Sequence, residues 1–142
     1  MIYEFCAENV TLLEKAMQAG ARRIELCDNL AVGGTTPSYG VTKAAVELAA
    51  NYDSTIMTMI RPRGGDFVYT DLEIAIMLED IRLTAQAGSQ GVVFGALTAD
   101  KKLDKANLEK LIAASKGMEI VFHMAFDELS DEEQLEAIDW LS

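Results

Sequence analysis

The stretch Ile24-Glu25-Leu26-Cys27 repeats the pattern of the earlier stretch Tyr3-Glu4-Phe5-Cys6, and together they distinguish between two possible architectures. Each places a glutamate and a cysteine on one face of a predicted strand and aromatic or aliphatic residues on the other. In an open sheet with helices on both faces, mid-strand carboxylates would face an apolar layer at a large free-energy cost. Inside a barrel they can point into a wet mouth. The pattern therefore favours a (β/α)8 barrel over an open doubly wound sheet.

Strands and helices alternate along the rest of the chain. Helical spacing of apolar residues follows each predicted strand. Thr70 with Glu73, and Ser130 with Glu133, have the spacing of a capping box at a helix start. Strict alternation requires parallel strands, because each helix returns the chain to the same end of the sheet. We therefore predict an α/β fold with five strands, Ile2–Cys6, Arg23–Cys27, Thr55–Ile60, Gly91–Gly95 and Glu119–His123.

The chain length fits part of such a barrel. Strand starts are about 29 residues apart, so eight units need roughly 230 residues, whereas this chain has 142. We expect residues 1–142 to form a single domain, the N-terminal five-eighths of a TIM barrel with only the first five βα units, and the native protein to continue. Unclosed sheet edges favour pairing with a second copy, so a homodimer is also expected.

Composition excludes several partners. The chain has 12 basic and 23 acidic residues and a formal charge of −11, which argues against nucleic acid or an anionic membrane as partner. No apolar run reaches the roughly 18 residues of a membrane span, and the first residues lack the basic start of a signal peptide. We therefore expect a cytoplasmic protein whose two cysteines are reduced.

An arginine pair follows the third predicted strand, in Arg61-Pro62-Arg63-Gly64-Gly65-Asp66. Arg61 and Arg63 are two apart in an extended stretch, so both guanidinium groups can leave on one side and bind a small anionic ligand. Gly64 lets the backbone approach a bound group closely. The alternative is a structural cluster of salt bridges in which both arginines pair with Glu4 and Glu25.

The only histidine, His123, ends the fifth predicted strand, where catalytic groups lie in barrels. Asp127 follows at a spacing that could orient the imidazole, and Glu25 is a second candidate for moving a proton. A lone histidine is more often a satisfied core or surface residue, and this interpretation stays open.

Cys6 and Cys27 end neighbouring predicted strands and point the same way. Two thiolates suit Cu(I), and Met57 and Met59 share a face of the third strand and could add thioether ligands. The alternative is a purely packing role, because cysteine is often buried and methionine often fills gaps.

With these residues in hand, the chain resembles the CutC family of copper-homeostasis proteins. The Arg-Pro-Arg-Gly-Gly-Asp-Phe run is the most distinctive of the matching motifs, which occur in order at Arg23–Cys27, Gly33–Ser38, Met59–Phe67, Gly91–Gly95 and Phe122–Asp127.

The resemblance implies a (β/α)8 barrel, a cytoplasmic location and a role in copper handling, in members longer than this chain. Cys6 and Cys27 match the cysteines suggested as Cu(I) ligands in the family. The polar cluster at the family's barrel mouth matches Glu4, Glu25, Arg61, Arg63, His123 and Asp127. Met124 departs from the family, which usually has arginine at this position, so one positive charge is absent.

Two functions follow as hypotheses. One is a copper-homeostasis protein that binds Cu(I) through Cys6 and Cys27. The other is a TIM-barrel enzyme of unspecified reaction that acts on a small anionic metabolite held by Arg61 and Arg63.

Overall fold

A computed structural model describes all residues from 1 to 142 and contains one parallel sheet of five strands. The strands lie side by side in chain order, and each neighbouring pair is parallel. The predicted α/β class with five parallel strands is therefore confirmed. The strands are β1 (Glu4–Glu8), β2 (Arg23–Cys27), β3 (Thr55–Met59), β4 (Gly91–Phe94) and β5 (Glu119–Phe122).

A helix follows every strand, and two short 3-10 helices, Leu30–Val32 and Met124–Glu128, lie in the segments after β2 and β5. None of the helices has the length and apolar character needed to cross a membrane. The α-helices are α1 (Leu13–Gln18), α2 (Tyr39–Ala50), α3 (Asp71–Ala87), α4 (Lys105–Ala114) and α5 (Asp131–Leu141).

The predicted helix caps are present, with one difference. At the start of α3, the Glu73 backbone N–H donates to the Thr70 hydroxyl at 3.2 Å and the Thr70 N–H donates to the Glu73 carboxylate at 3.3 Å, which completes the capping box. At the start of α5, Ser130 accepts from the Glu133 N–H at 3.3 Å, but the Glu133 carboxylate pairs with Lys102. Only half of the second box forms, because a lysine competes for its carboxylate.

The two faces of the sheet differ as the sequence predicts. Ile24, Leu26 and Ile56 are fully buried in a core shared with α1 and α2, and a larger core lies among β4, β5 and the three later helices. The opposite face carries a small separate cluster in which Cys27 packs with Met57, Met59 and Val93. The strand face that carries the thiols is therefore distinct from the main apolar cores.

The first strand begins later than predicted. Its predicted range was Ile2–Cys6, but the strand runs from Glu4 to Glu8, and Ile2 and Tyr3 are exposed. Glu4 pairs with Arg23, the first residue of β2, so the partner strand rather than local hydrophobicity determines the start. Cys6 consequently lies in the middle of β1, whereas Cys27 ends β2 as predicted.

Candidate functional site

Two groups of polar side chains lie on the sheet and in the loops at the carboxyl ends of the strands. We call the first, Cys6, Glu25 and Cys27, the thiol cluster, and the second, Arg61, Tyr69 and His123, the buried polar cluster. Arg61 connects the two electrostatically, because its positive charge partly offsets the rise that burial causes in the pKa of Cys27 and adds to the fall that burial causes in the pKa of His123.

The register of β1 and β2 assembles the thiol cluster. Cys6 lies opposite Glu25, and Cys27 follows Glu25 by two residues on the same face of β2. The two sulfur atoms and a carboxylate oxygen of Glu25 all lie within 4.8 Å of one another. Cys6 is exposed, Glu25 is half-buried and Cys27 is 0% exposed. The expectation that the two sulfurs lie close together is therefore met, and the carboxylate joins them.

Burial favours the protonated form of the two thiols when no metal is bound. Desolvation raises the pKa of the Cys27 thiol strongly, and the Arg61 charge opposes this effect only in part. Desolvation and the Glu25 carboxylate raise the pKa of Cys6. Desolvation also raises the pKa of Glu25 itself. A metal ion that binds as a thiolate complex must therefore displace protons.

A glycine closes one side of the cluster. Gly34 has a left-handed φ of +93°, and a Cβ atom there would lie 2.9 Å from the Cys27 sulfur. The Arg61 guanidinium donates to the Gly34 carbonyl at 3.0 Å and to the Val32 carbonyl at 2.6 Å. The Thr36 hydroxyl accepts from the Arg61 backbone N–H at 2.8 Å. These bonds hold the loop after β2 against Cys27.

Two methionines of β3, Met57 and Met59, lie near the thiol cluster. A side chain at Gly91, on β4, would collide with the Met57 thioether, so Met57 extends over β4 and away from β1. Met57 and Met59 are both buried beside Cys27. The Met57 sulfur therefore lies toward β4 rather than toward Cys6.

Arg61 is 2% exposed and has no carboxylate partner. It donates to the Gly65 carbonyl at 2.9 Å as well as to the two carbonyls of the preceding loop, and its guanidinium carbon lies 5.0 Å from the centre of the Phe67 ring. Its Nε atom is buried without a hydrogen-bond partner. The hydrogen bonds of this buried guanidinium therefore all go to neutral carbonyls.

Arg63 is engaged by side chains of its own loop and of α3. Its Nε and Nη2 atoms donate to the two carboxylate oxygens of Glu73, both at 3.1 Å, and Nη2 also pairs with Asp66 at 3.1 Å. Arg63 Nη1 donates to the Gly64 carbonyl at 3.2 Å. Gly64 allows a close approach, as expected, but the neighbour is Val32, at 2.9 Å from a Cβ built on Gly64.

The alternative, in which both arginines pair with Glu4 and Glu25, is therefore wrong. Glu4 pairs with Arg23, its neighbour across β1 and β2, at the solvent-accessible edge of the sheet. Glu25 forms no salt bridge and lies with the thiols. Spacing along the sequence does not identify the partner of Glu4, because the register of β1 and β2 places Arg23 directly opposite it.

His123 lies between aromatic rings and a glycine. It is 7% exposed, its ring centre is 5.0 Å from that of Phe67, and a Cβ at Gly95 would lie 2.7 Å from its Cε1 atom. The Ala125 N–H donates to Nδ1 at 3.2 Å, so Nε2 carries the proton of the neutral ring and is buried without a partner. Desolvation and the Arg61 charge lower the pKa of His123 to about 4.

Asp127 does not orient the imidazole, contrary to the sequence-based expectation. Asp127 is exposed, and Nδ1 takes its hydrogen bond from the Ala125 backbone. The chain enters the 3-10 helix directly after His123, so the histidine caps that helix and the aspartate faces solvent. The spacing of four residues between His123 and Asp127 does not predict a contact, because the backbone turns after His123 and the Ala125 N–H becomes the partner of the imidazole.

Tyr69 is a member of the buried polar cluster that the sequence argument missed. It is 8% exposed, its hydroxyl has no hydrogen-bond partner, and burial raises its pKa to about 12. The Arg63 guanidinium carbon lies 5.3 Å from its ring centre. The signal available was its position two residues after Phe67, in the extended segment that follows the arginine motif.

Comparison with known proteins gives a consistent result. The model of the CutC family matches residues 1–141. A CutC family protein of Enterococcus faecalis is 54% identical over 142 residues, which are all of this chain and 68% of that relative. The crystal structure of a protein described as a copper homeostasis protein CutC, from Streptococcus agalactiae, superposes with a TM-score of 0.95 and 48% identity. The match covers 99% of this chain and 67% of the Streptococcus agalactiae protein.

More distant structures share the fold alone. The structure of a Burkholderia cenocepacia protein described as a phosphonomutase superposes with a TM-score of 0.64 at 16% identity, and the match covers all of this chain and 72% of that protein. The present chain spans about two thirds of the length of the two similar relatives above.

Proposed function

Because this chain belongs to the CutC family, we propose that it is a cytoplasmic copper-homeostasis protein that binds Cu(I) as its cargo through Cys6 and Cys27. The observation that carries the proposal is the thiol cluster, with its ligand atoms within 4.8 Å of one another. Thiolates are the protein ligands that Cu(I) prefers, and one of the two sulfurs is open to solvent. The copper-related description of the Streptococcus agalactiae protein supports the same assignment.

The proposal extends to the fold. We propose that residues 1–142 are a single domain equivalent to the first five βα units of a (β/α)8 barrel. Its support is the uninterrupted parallel order of the strands, together with a similarity to longer relatives that runs over the whole chain. The outer edges of β1 and β5 are unpaired, which favours association with a second copy. Analytical ultracentrifugation tests this association.

Anaerobic copper binding by the reduced protein tests the metal site. We expect the wild type to hold one Cu(I) per chain in competition with a chromophoric Cu(I) chelator. The double variant Cys6→Ser, Cys27→Ser should hold none, because hydroxyl oxygens are poor ligands for a soft ion. Met57→Leu is the matched control: it removes a sulfur atom of the same face that points toward β4, and its stoichiometry should equal that of the wild type.

Unchanged copper stoichiometry in the double cysteine variant would refute this assignment. Far-UV circular dichroism and thermal melting of each variant show whether the fold is retained. Single variants add a further check, because loss of either thiol should leave a one-thiolate site and weaken Cu(I) binding by about tenfold or more.

A second function is favoured by one observation, the uncompensated charge of Arg61. A buried guanidinium without a carboxylate has the chemistry to hold a small anionic metabolite, and the unpartnered Nε2 of His123 and hydroxyl of Tyr69 are further donors. In this proposal Arg61 takes the anion, whereas Arg63 must first release Glu73. His123 or Glu25 would move a proton in the reaction, and Asp127 would act only if the loop after β5 moved.

Inorganic phosphate and sulfate provide the test of this second function. If the proposal is correct, millimolar phosphate raises the melting temperature of the wild type, and Arg61→Lys weakens the effect because lysine lacks the bidentate fork. Lys110→Gln, a change of one exposed positive charge, should leave the effect intact. Equal stabilisation of all three proteins would mean that the anion acts elsewhere.

A further inference from the structure

The carboxylate of Glu25 is the part of the thiol cluster that Cu(I) binding does not explain. Two thiolates already satisfy Cu(I), which accepts soft sulfur ligands at low coordination number. Glu25 nevertheless lies with both sulfurs and forms no salt bridge, although the charge of Arg23 acts on it from the same strand. Zn(II) and other divalent ions of the same class accept thiolate and carboxylate ligands together.

We propose that Glu25 is a third metal ligand and that the cluster also accepts a divalent ion of the zinc class, in competition with Cu(I). This inference rests on the proposed role of Cys6 and Cys27 as copper ligands and adds a ligand and a second class of ion to that site.

The distances fit a tridentate site. Three atoms within 4.8 Å of one another can all lie within about 2.8 Å of a single ion. Zn–S bonds are about 2.3 Å and Zn–O bonds about 2.0–2.2 Å, so shifts of about half an ångström bring the atoms into contact. Cys6 and Glu25 are both accessible enough to make such shifts, whereas Cys27 is held by the packed Gly34. The exposed side leaves the fourth position to water.

Charge also favours a divalent ion. Two thiolates and one carboxylate carry three negative charges, and one of the thiolates is fully buried. A monovalent ion leaves a net charge of about −2 in the cluster, and a divalent ion leaves about −1. With Cu(I) bound, Glu25 lies outside the coordination sphere, because the two thiolates already satisfy the ion. The same carboxylate therefore discriminates between the two classes of ion.

Anaerobic titration with Co(II), the spectroscopic substitute for Zn(II), tests the inference on the reduced full chain. We expect thiolate-to-cobalt charge-transfer bands and the visible bands of a tetrahedral ion, abolished by added Zn(II). Glu25→Gln should weaken Co(II) and Zn(II) binding by about tenfold or more and leave Cu(I) stoichiometry unchanged. Glu47→Gln is the matched control, because it removes an equal charge from an exposed position on α2 that forms no salt bridge, and it should change the binding of neither metal.

Each result decides the matter. Co(II) binding by Glu25→Gln at wild-type affinity, or retained in the double cysteine variant, overturns the inference. A wild type that binds Cu(I) but no Co(II) also overturns it and leaves the copper function standing, whereas a wild type that binds neither metal refutes both. Glu25→Asp keeps a carboxylate on a shorter side chain, so its affinity for Co(II) should lie between those of the wild type and Glu25→Gln. Circular dichroism checks that each variant is folded.

Discussion

His123 is the only histidine in the chain, so its titration can be followed without ambiguity. The imidazole is buried against Phe67, and the Arg61 charge acts on it, so the protonated form is disfavoured and the pKa falls from 6.5 to about 4. In the unfolded chain the imidazole keeps its ordinary pKa of 6.5. Between these two values the unfolded state binds a proton that the folded state does not.

The sign and size of the effect follow from linkage. Above pH 6.5 the imidazole is neutral in both states and does not alter the pH dependence of stability. As the pH falls from 6.5 toward 4, the free energy of unfolding decreases, because protonation favours the unfolded chain. The shift corresponds to about 3 kcal/mol across this window.

Two measurements check this prediction. The imidazole proton resonances should titrate near pH 4 in the folded protein by NMR. Urea unfolding at a series of pH values should show that the wild type loses about 3 kcal/mol more than His123→Asn between pH 7 and pH 4. The asparagine oxygen can still accept from the Ala125 N–H, so this variant removes the titration and keeps the hydrogen bond. An NMR pKa near 6.5, or equal pH slopes, would falsify the reasoning.

Three further substitutions test the packing of the site. In urea unfolding, Gly34→Ala should destabilise the fold by about 3 kcal/mol, because the new Cβ meets the Cys27 sulfur. Gly20→Ala is also at positive φ but has open space around it, so it should cost only about 1 kcal/mol. Equal losses in the two variants would contradict the close contact at Gly34. Arg61→Met should cost about 3 kcal/mol or more, because three carbonyls lose their donor, and a loss below about 1 kcal/mol would argue against its structural role. Gly95→Ala should displace the imidazole and move its pKa toward 6.5 in the NMR titration; an unchanged value would show that the space is not needed.

The sequence predicts the sheet well because each of its strands has a strong local signal. The second strand matches its predicted range, Arg23–Cys27, and its faces divide as the alternation indicates. The first strand was misplaced by two residues, because the apolar Ile2 and Tyr3 look like strand residues but lie outside the register with β2.

The sequence predicts which side chains of the site lie close together better than it predicts the salt-bridge partners of the charged residues. Proximity of Cys6 and Cys27 follows from adjacent parallel strands, which periodicity alone indicates. The partner of Arg63 could not be foreseen in the same way, because Glu73 is ten residues on and reaches Arg63 only after the loop turns back to the start of α3. Partners of charged groups depend on loop geometry, which composition and spacing do not specify.

The glycine beside Cys27 makes the two sulfur atoms kinetically unequal. A small solute arriving from solvent meets Cys6 first, since Cys27 is shielded by the backbone of Gly34 on one side. Exchange of a bound metal ion to a competing thiol must therefore start at Cys6. The rate of this exchange depends on the size of the competing thiol as well as on the affinity of that thiol for the metal. Alkylation should accordingly proceed in two phases, a fast one at the open sulfur and a slow one limited by local opening of the loop.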